Sequence, residues 1–509
     1  MLARYLPLSV SIILFILSLY IPPMINPDSG IGFLVLRNML EGGAFNTLTA
    51  PDPTNITKDV VTFLTWWSPG QYLVPGSFIW LGADYGLAVS LTGLFATFIG
   101  VVGWIQVGRS FKVSFFVLFL FVMGLSTFSH VTQHFRVYHG GEVLLFAAAP
   151  WSLYAMQWAV NKPPILCLVV SLLSAALLFF AKLTGILVFA TNVAAISVSA
   201  LVSERRVSPS ILAMWLASAI GALCFLMFWL ARGPVPAGGS TFTFRWLPIW
   251  FSVTGAAFSG VSGLDFLLWF LGHPWVQIMS GQRGTELLIY VLGPLGLVLM
   301  VWVWFRLRRT RYREMAVLLL TIILLYTIAV AMYLRGAYIF QDRHCRYVGI
   351  LFFLLLLTAI DQWRVPLAKN LVWVVVIVLG LYGLKQSFTG AYAQMRAGYY
   401  DPMAGISQDI SPAILEYMRS EIIQHNYQRP IAVVPSPSAG VSLPRFRIIA
   451  PFKEIRAHKW AGRAEKIFVV VHEEMLLNGK AEAILRSFIS YEFDDWRQMK
   501  LDGMIIYTQ

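Results

Sequence analysis

Charge is what this sequence has least of. Only 12% of its 509 residues are Asp, Glu, Lys or Arg, about half the share of a soluble domain, which is roughly a quarter. Hydrophobic residues reach 58% and the mean hydropathy is +0.70, so most of the surface cannot face water. That excludes a string of soluble domains and leaves a polytopic α-helical membrane protein. Cysteine is scarce too. Cys167 and Cys224 lie in apolar runs and Cys345 stands alone before another, which excludes a disulfide framework. Internal repeats and low-complexity tracts are lacking, as are the visible inverted halves of many transporters. The 38 basic against 25 acidic residues do not mark a nucleic-acid surface. Residues 388–509 hold 14 basic and 13 acidic ones, so the surplus lies in residues 1–387, mostly in short loops.

Long apolar runs, by contrast, are plentiful. Eleven approach the length of a bilayer crossing: 4–22, 86–108, 113–130, 141–160, 164–181, 183–202, 210–231, 286–305, 315–334, 347–362 and 370–387. The first has one basic residue, Arg4, and ends in Ile21-Pro22-Pro23 without a small-x-small site, so it reads as a retained helix. Basic residues in short loops set the orientation, and the five arginines of Arg306–Arg313 dominate them. They predict a cytoplasmic N-terminus and an extracytoplasmic segment 388–509 in a plasma (inner) membrane. The tightest boundary is Lys182, which alone separates the fifth and sixth runs. Merging those two would reverse everything downstream.

Three segments on the outer side are too long or too polar for simple turns. Residues 23–85 contain an apolar stretch, Ile31–Leu40, that predicts a short helix in the membrane interface. Residues 232–285 are rich in Gly, Trp and Phe, carry His273-Pro274, and suit the headgroup zone. Residues 335–346 concentrate Arg335, Gln341, Asp342, Arg343, His344 and Arg346. The domain division expected is therefore 1–387, a transmembrane domain with interface helices in the 23–85 and 232–285 loops, and 388–509, a small α/β domain. In the latter, Ile431–Val434, Ile467–Val471 and Met504–Tyr507 read as strands, and Ser411–His425 and Lys480–Ile489 as helices.

Ionisable residues near membrane depth are costly and point to function. Asp28, after the first run, either lends charge to the N-terminus of the following helix or does chemistry. Lys182 either snorkels to the headgroups or binds an anion. Arg343 and Arg346 offer planar forks suited to phosphate oxygens, against a plain role as anchors on bilayer phosphates. His130, His134, Arg136, His139 and Glu142 cluster in one short turn. The i,i+4 spacing of His130 and His134 would place two metal ligands on one helical face, yet histidines beside headgroups are ordinary. Asn55-Ile56-Thr57 fits a glycosylation sequon, a pattern that chance often supplies.

The order of these features carries a family signal. Asp28, the Ile31–Leu40 stretch with Gly42-Gly43, Trp66-Trp67-Ser68-Pro69-Gly70-Gln71-Tyr72, Gly140-Gly141-Glu142, Ala181-Lys182-Leu183-Thr184-Gly185 and Arg343-His344-Cys345-Arg346-Tyr347 follow one another over residues 1–365. The series resembles the GT-C membrane glycosyltransferases, especially the bacterial branch similar to protein mannosyltransferases and aminoarabinose transferases. The resemblance implies a GT-C-like fold of about eleven transmembrane helices. It also implies transfer of a sugar from a polyprenyl-phosphate carrier to an extracytoplasmic lipid, glycan or protein acceptor. On that pattern Asp28 is the catalytic carboxylate, and Lys182, Arg343 and Arg346 bind the carrier phosphate. Tyr72, His139, Glu142 and His344 are expected at the substrate cavity. Many relatives have a second acid directly after the aspartate. Here that residue is Ser29, so Asp52 and Asp59 become candidates for a second carboxylate. Some relatives use a divalent ion; this branch resembles those that do not, and no cofactor is expected. The partners expected are the lipid-linked donor, membrane lipids and the acceptor, with no nucleic acid. Two alternatives remain: a polymerase or ligase of lipid-linked glycans, and a transporter or lipid flippase. The latter would favour ionisable groups at the bilayer midplane, whereas here they gather at one interface.

Overall fold

A computed structural model describes residues 2–127, 132–204, 208–233, 246–261, 282–333, 342–363, 366–397, 399–450, 458–477 and 479–509. Every one of the eleven apolar runs is occupied by a helix. In chain order they are α1 (Leu2–Tyr20), then, after two helices of the first loop, α2 (Pro27–Leu40) and α3 (Gly70–Trp80), α4 (Tyr85–Ser110), α5 (Phe115–Thr127) and α6 (Gly141–Ala159). There follow α7 (Pro164–Ala181), α8 (Gly185–Glu204), α9 (Pro209–Phe228), the loop helix α10 (Trp246–Phe258), α11 (Gln282–Leu307), α12 (Arg313–Tyr333), α13 (Arg346–Asp361) and α14 (Pro366–Ala397). Among the described residues seven helices are long and apolar enough to cross a membrane. The expectation of about eleven spans rests on the other four, α1, α5, α6 and α13, which are shorter or less apolar there.

Local chemistry sets the boundaries. Asp84 caps α4 by accepting from the Leu87 N–H, and Ser208 caps α9 by accepting from Ile211, with Pro209 in the first turn. Lys182 ends α7 in an extended conformation (φ −158°, ψ 145°), so the chain turns there and α7 and α8 are separate helices. The 232–285 loop does hold a helix, α10. It sinks Phe251, Ala256 and Ala257 into the bundle against α11, α12 and α13, because its small and aromatic residues fit between helices. His273-Pro274, Arg335 and Gln341 lie outside the described residues.

The first loop is more structured than its composition indicates. Its hairpin pairs β2 (Thr47–Asp52) with β3 (Asn55–Phe63), and β1 (Met24–Ile25) lies before α2. β1 pairs in parallel with β4 (Val137–Tyr138) and with β6 (Ile406–Gln408), which is joined to β5 (Tyr399–Asp401). This small sheet ties the exit of α1, the turn before α6 and the start of the tail together. α14 itself continues to Ala397, ten residues beyond the boundary expected at 387.

The tail contains a five-stranded sheet in the order β10-β11-β9-β7-β8, made of β7 (Ile431–Val433), β8 (Arg447–Ile449), β9 (Ile467–His472), β10 (Arg497–Leu501) and β11 (Met504–Thr508). β7 runs parallel to both β8 and β9, and β11 is antiparallel to its neighbours. Helix α15 (Pro412–His425), capped by Ser411, covers one face with Leu415 and Met418 against Val470 and Ile506. The tail clamps α2. Arg37 donates to the carbonyls of Gly440 (3.0 Å), Leu443 (2.8 Å) and Phe446 (3.0 Å). Gly30 lets the two backbones touch, since a Cβ there would lie 2.5 Å from the Ser438 nitrogen.

Candidate active site

Asn26-Pro27-Asp28 starts α2. The Asn26 side chain caps the helix by accepting from the Asp28 N–H at 3.0 Å, and Pro27 occupies the first turn. Asp28 therefore stands at the positive end of a helix dipole, a favourable place for a carboxylate. Its Oδ2 accepts from Arg343 Nη2 at 3.0 Å, with the Asp28 side chain 36% and the Arg343 side chain 17% exposed. On the other side of the same guanidinium, Nη1 lies 3.6 Å from Glu142 Oε1, and Lys182 Nζ donates to that oxygen at 2.9 Å. Four side chains from four distant stretches of sequence thus form one line of alternating charge, Asp28–Arg343–Glu142–Lys182.

Glu142 is only 7% exposed and sits in the first turn of α6. Gly141 brings that turn against Lys182: a Cβ there would be 2.9 Å from Lys182 Cγ. Gly140 turns the chain into α6 with a positive φ of +57°, a conformation that suits glycine. Burying Glu142 is tolerable because two cations compensate it; alone it would cost several kcal/mol. Arg346 begins α13 and donates from Nη2 to Gln133 Oε1 at 3.1 Å. A small cavity is lined by Glu142, Lys182, Arg343, Arg346, His134, Trp104, Tyr326 and Tyr347, with Leu145, Phe146, Ala149 and Ile350. Three cations against Glu142 give its wall an excess of positive charge. The apolar lining strengthens each charge relative to water.

The remaining sequence candidates fall in different places. His139 adjoins the cluster: both ring nitrogens are buried without a hydrogen-bond partner, and its ring lies 6.4 Å from that of His134. Burial pulls its pKa down to about 4; Glu142 pulls the other way, while Arg346, Arg343 and Lys182 add to the lowering. His344 lies in a single 3₁₀ turn beside Arg343, and its carbonyl accepts from the Tyr326 hydroxyl at 3.0 Å. Tyr72 is fully buried; its hydroxyl donates to Asn46 Oδ1 at 2.7 Å, and Asn46 donates to the Leu64 carbonyl, so it holds the base of the hairpin. Asp52 accepts from the Thr54 N–H and hydroxyl at the hairpin turn. Asp59 is held by Arg429 and by Arg447, whose Nε donates at 2.7 Å, and so fastens the hairpin to the tail. Neither carboxylate joins the Asp28 cluster. His130 lies outside the described residues. Among the described residues no group of three or more His, Cys, Asp or Glu is placed to hold a metal ion.

Residues not singled out in the sequence also contribute. Tyr326, Tyr347, Trp104 and Gln133 shape the cavity or hold its arginines, and Tyr347 donates to Asn192 Oδ1 at 2.7 Å inside the bundle. The available signal was a hydrogen-bonding side chain within an apolar run, where its polar tip needs a partner. A second, larger cleft opens between the hairpin and the tail. It is lined by Trp66, Trp67 and Trp460 and begins at Ile31 and Leu34 of α2.

No protein-family model matches the chain. No curated protein matches it either. Solved structures do. The crystal structure of ArnT from Cupriavidus metallidurans bound to undecaprenyl phosphate aligns with a TM-score of 0.53 at 11% identity, covering 99% of this chain and 97% of that one. ArnT in the apo state aligns with a TM-score of 0.50 at 12% identity over the same shares. The arabinofuranosyltransferase AftD from mycobacteria gives a TM-score of 0.46 at 13% identity; the match covers 92% of this chain but 35% of AftD, so this chain spans about a third of that protein. At these identities the likeness concerns the fold, which is shared with ArnT over nearly its whole length.

Proposed function

We propose that this chain, a membrane protein with the fold of the GT-C glycosyltransferases, transfers a sugar from a polyprenyl-phosphate carrier to an acceptor outside the cytoplasm. The observation that carries the reading is the Asp28–Arg343–Glu142–Lys182 line at the edge of a cationic cavity. Support also comes from the polyprenyl phosphate bound by the similar ArnT. In the reaction the acceptor oxygen forms a bond to the anomeric carbon. The bond from that carbon to the phosphate oxygen breaks, and the electron pair leaves with the polyprenyl phosphate. The acceptor proton passes to Asp28 Oδ1 or Oδ2. Arg343, Lys182 and Arg346 stabilise the negative charge that grows on the leaving phosphate. Asp28 needs little basicity, because the acceptor hydroxyl acidifies as its new bond forms. The acceptor would enter by the second cleft, whose wall at Ile31 lies three residues, about 4.5 Å of helical rise, from Asp28.

Purified protein in lipid nanodiscs, supplied with glycans or glycolipids and a panel of polyprenyl-phosphate sugars, tests the reading by mass spectrometry of the products. Asp28→Asn should lower kcat by ~10²–10⁴-fold, the usual worth of a general base, while the protein still inserts and binds carrier lipid. Wild-type-like turnover in Asp28→Asn together with a dead Asp52→Asn or Asp59→Asn moves the base to the hairpin. Full activity in all three removes the glycosyltransferase reading.

A further inference from the structure

We infer that Arg343 is an exchange latch: it holds Asp28 until the donor phosphate takes the guanidinium, so the base is released only when the donor is in place. The inference rests on the carrier-phosphate reading above and adds an order of events to it.

The argument is the geometry of one side chain. A guanidinium binds a tetrahedral oxyanion best by two parallel N–H donors along one edge of its fork. The lateral edge of Arg343 consists of Nε and Nη2. Nη2 is engaged by Asp28 at 3.0 Å, whereas Nε is buried without a hydrogen-bond partner. Nη1, on the far side, faces Glu142 at 3.6 Å. The two carboxylates on Arg343 are therefore not equivalent. Glu142 is 7% exposed and fixed by Lys182 at 2.9 Å; Asp28 is 36% exposed and stands at a helix start, where water can take over its solvation. A phosphate binding along the lateral edge would satisfy the buried Nε–H and replace Asp28 on Nη2, leaving the Glu142 side untouched. A buried donor without an acceptor is costly, so the exchange improves the pairing of Arg343. Asp28, freed from the guanidinium, becomes available to accept a proton. An acceptor arriving first would meet a carboxylate already engaged.

The latch makes a prediction opposite in sign to that of a residue that simply binds the donor. Asp28 competes with the phosphate, so Asp28→Asn should tighten binding of sugar-free undecaprenyl phosphate by about three- to fivefold, the worth of a partly exposed ion pair. Binding would be measured by native mass spectrometry of the full chain in nanodiscs, with elution volume and melting temperature confirming the fold of each variant. Arg343→Ala should weaken binding by about tenfold or more, as expected for loss of a charge-assisted bond. The decisive arm is the double variant. If Arg343 mediates the competition, Asp28→Asn has no effect on affinity in the Arg343→Ala background. Tightening of equal or greater size in that background means bare charge repulsion between Asp28 and the phosphate, and overturns the latch. Unchanged or weaker binding in Asp28→Asn alone also overturns it, while leaving the carrier-phosphate reading intact. Wild-type protein with no saturable binding overturns both. Should Arg343→Ala fail the fold checks, Arg343→Gln replaces it, since that side chain is neutral and lacks the paired edge.

Discussion

Glu142 is the residue on which the charged line depends, because within that line it is the carboxylate that faces two cations. Glu142→Gln keeps the volume but leaves Lys182 buried without its counter-charge and Arg343 with Asp28 as its remaining carboxylate. Breaking a buried ion pair by removing one partner typically costs 3–5 kcal/mol. Lys182 and Arg343 are 14% and 17% exposed, which lowers the expected loss to about 2–4 kcal/mol. Thermal unfolding in detergent should show it as a clear fall in Tm, larger than that of Asp28→Asn. His139 gives a pH signature. Its pKa is about 4 in the fold, below the ordinary value of 6.5. Between those values the unfolded chain binds a proton that the folded chain does not, so stability is present above pH 6.5 and is lost as the pH falls toward 4. The slope is on the order of 1 kcal/mol per pH unit. His139→Asn should flatten the decline in melting temperature between pH 6.5 and pH 4.5. An unchanged slope would mean that His139 takes up its proton in the fold as readily as in the unfolded chain.

Among the elements, α2 couples the tail to the chemistry. It carries Asp28 at its start, Gly30 against the Ser438 backbone, and Arg37 on three carbonyls of the tail. Gly30→Val must push α2 away from residues 437–438, since even a Cβ would be 2.5 Å from the Ser438 nitrogen. Transfer should drop by about tenfold or more, because displacements near 1 Å cost on that scale. Arg37→Ala should instead act on docking: the tail's amides should exchange hydrogen faster while the bundle's do not. The Ile31–Leu40 stretch was legible as a helix because its apolar residues lie between Ser29-Gly30 and a Glu41-Gly42-Gly43 stop. Its partner was not legible. The apolar residues that suggested a membrane interface are buried within the protein instead: Phe33, Val35 and Leu36 join the core of the bundle, and Leu34 joins the core cluster of the tail.

At the scale of the whole molecule, the site, the hairpin and the tail share one end of the bundle, and the arginines of the α11–α12 connection lie in a different loop. The basic-residue bias predicts a cytoplasmic side for that connection. Reporter fusions at residue 310 and at the C-terminus should then report opposite sides. The same side for both would overturn this topology.

Not every end of the membrane helices was readable, as α14 runs on to Ala397, but the helices themselves were readable from composition and periodicity, since a bilayer demands long apolar runs. So were Ile467–His472 and Met504–Thr508, whose β-branched residues leave few other options. The individual ionisable residues of the site were readable as well, because the cost of charge near a membrane makes each of them conspicuous. Their pairing was not. Asp28 meets Arg343 across 315 positions and Glu142 meets Lys182 across 40, and such contacts depend on helix packing that no local pattern encodes. Tertiary structure also separated three carboxylates that look alike in one loop, pairing Asp28 with Arg343 and Asp59 with the tail's arginines. Local residue chemistry determines where a helix starts; the packing of distant helices decides which charges face each other.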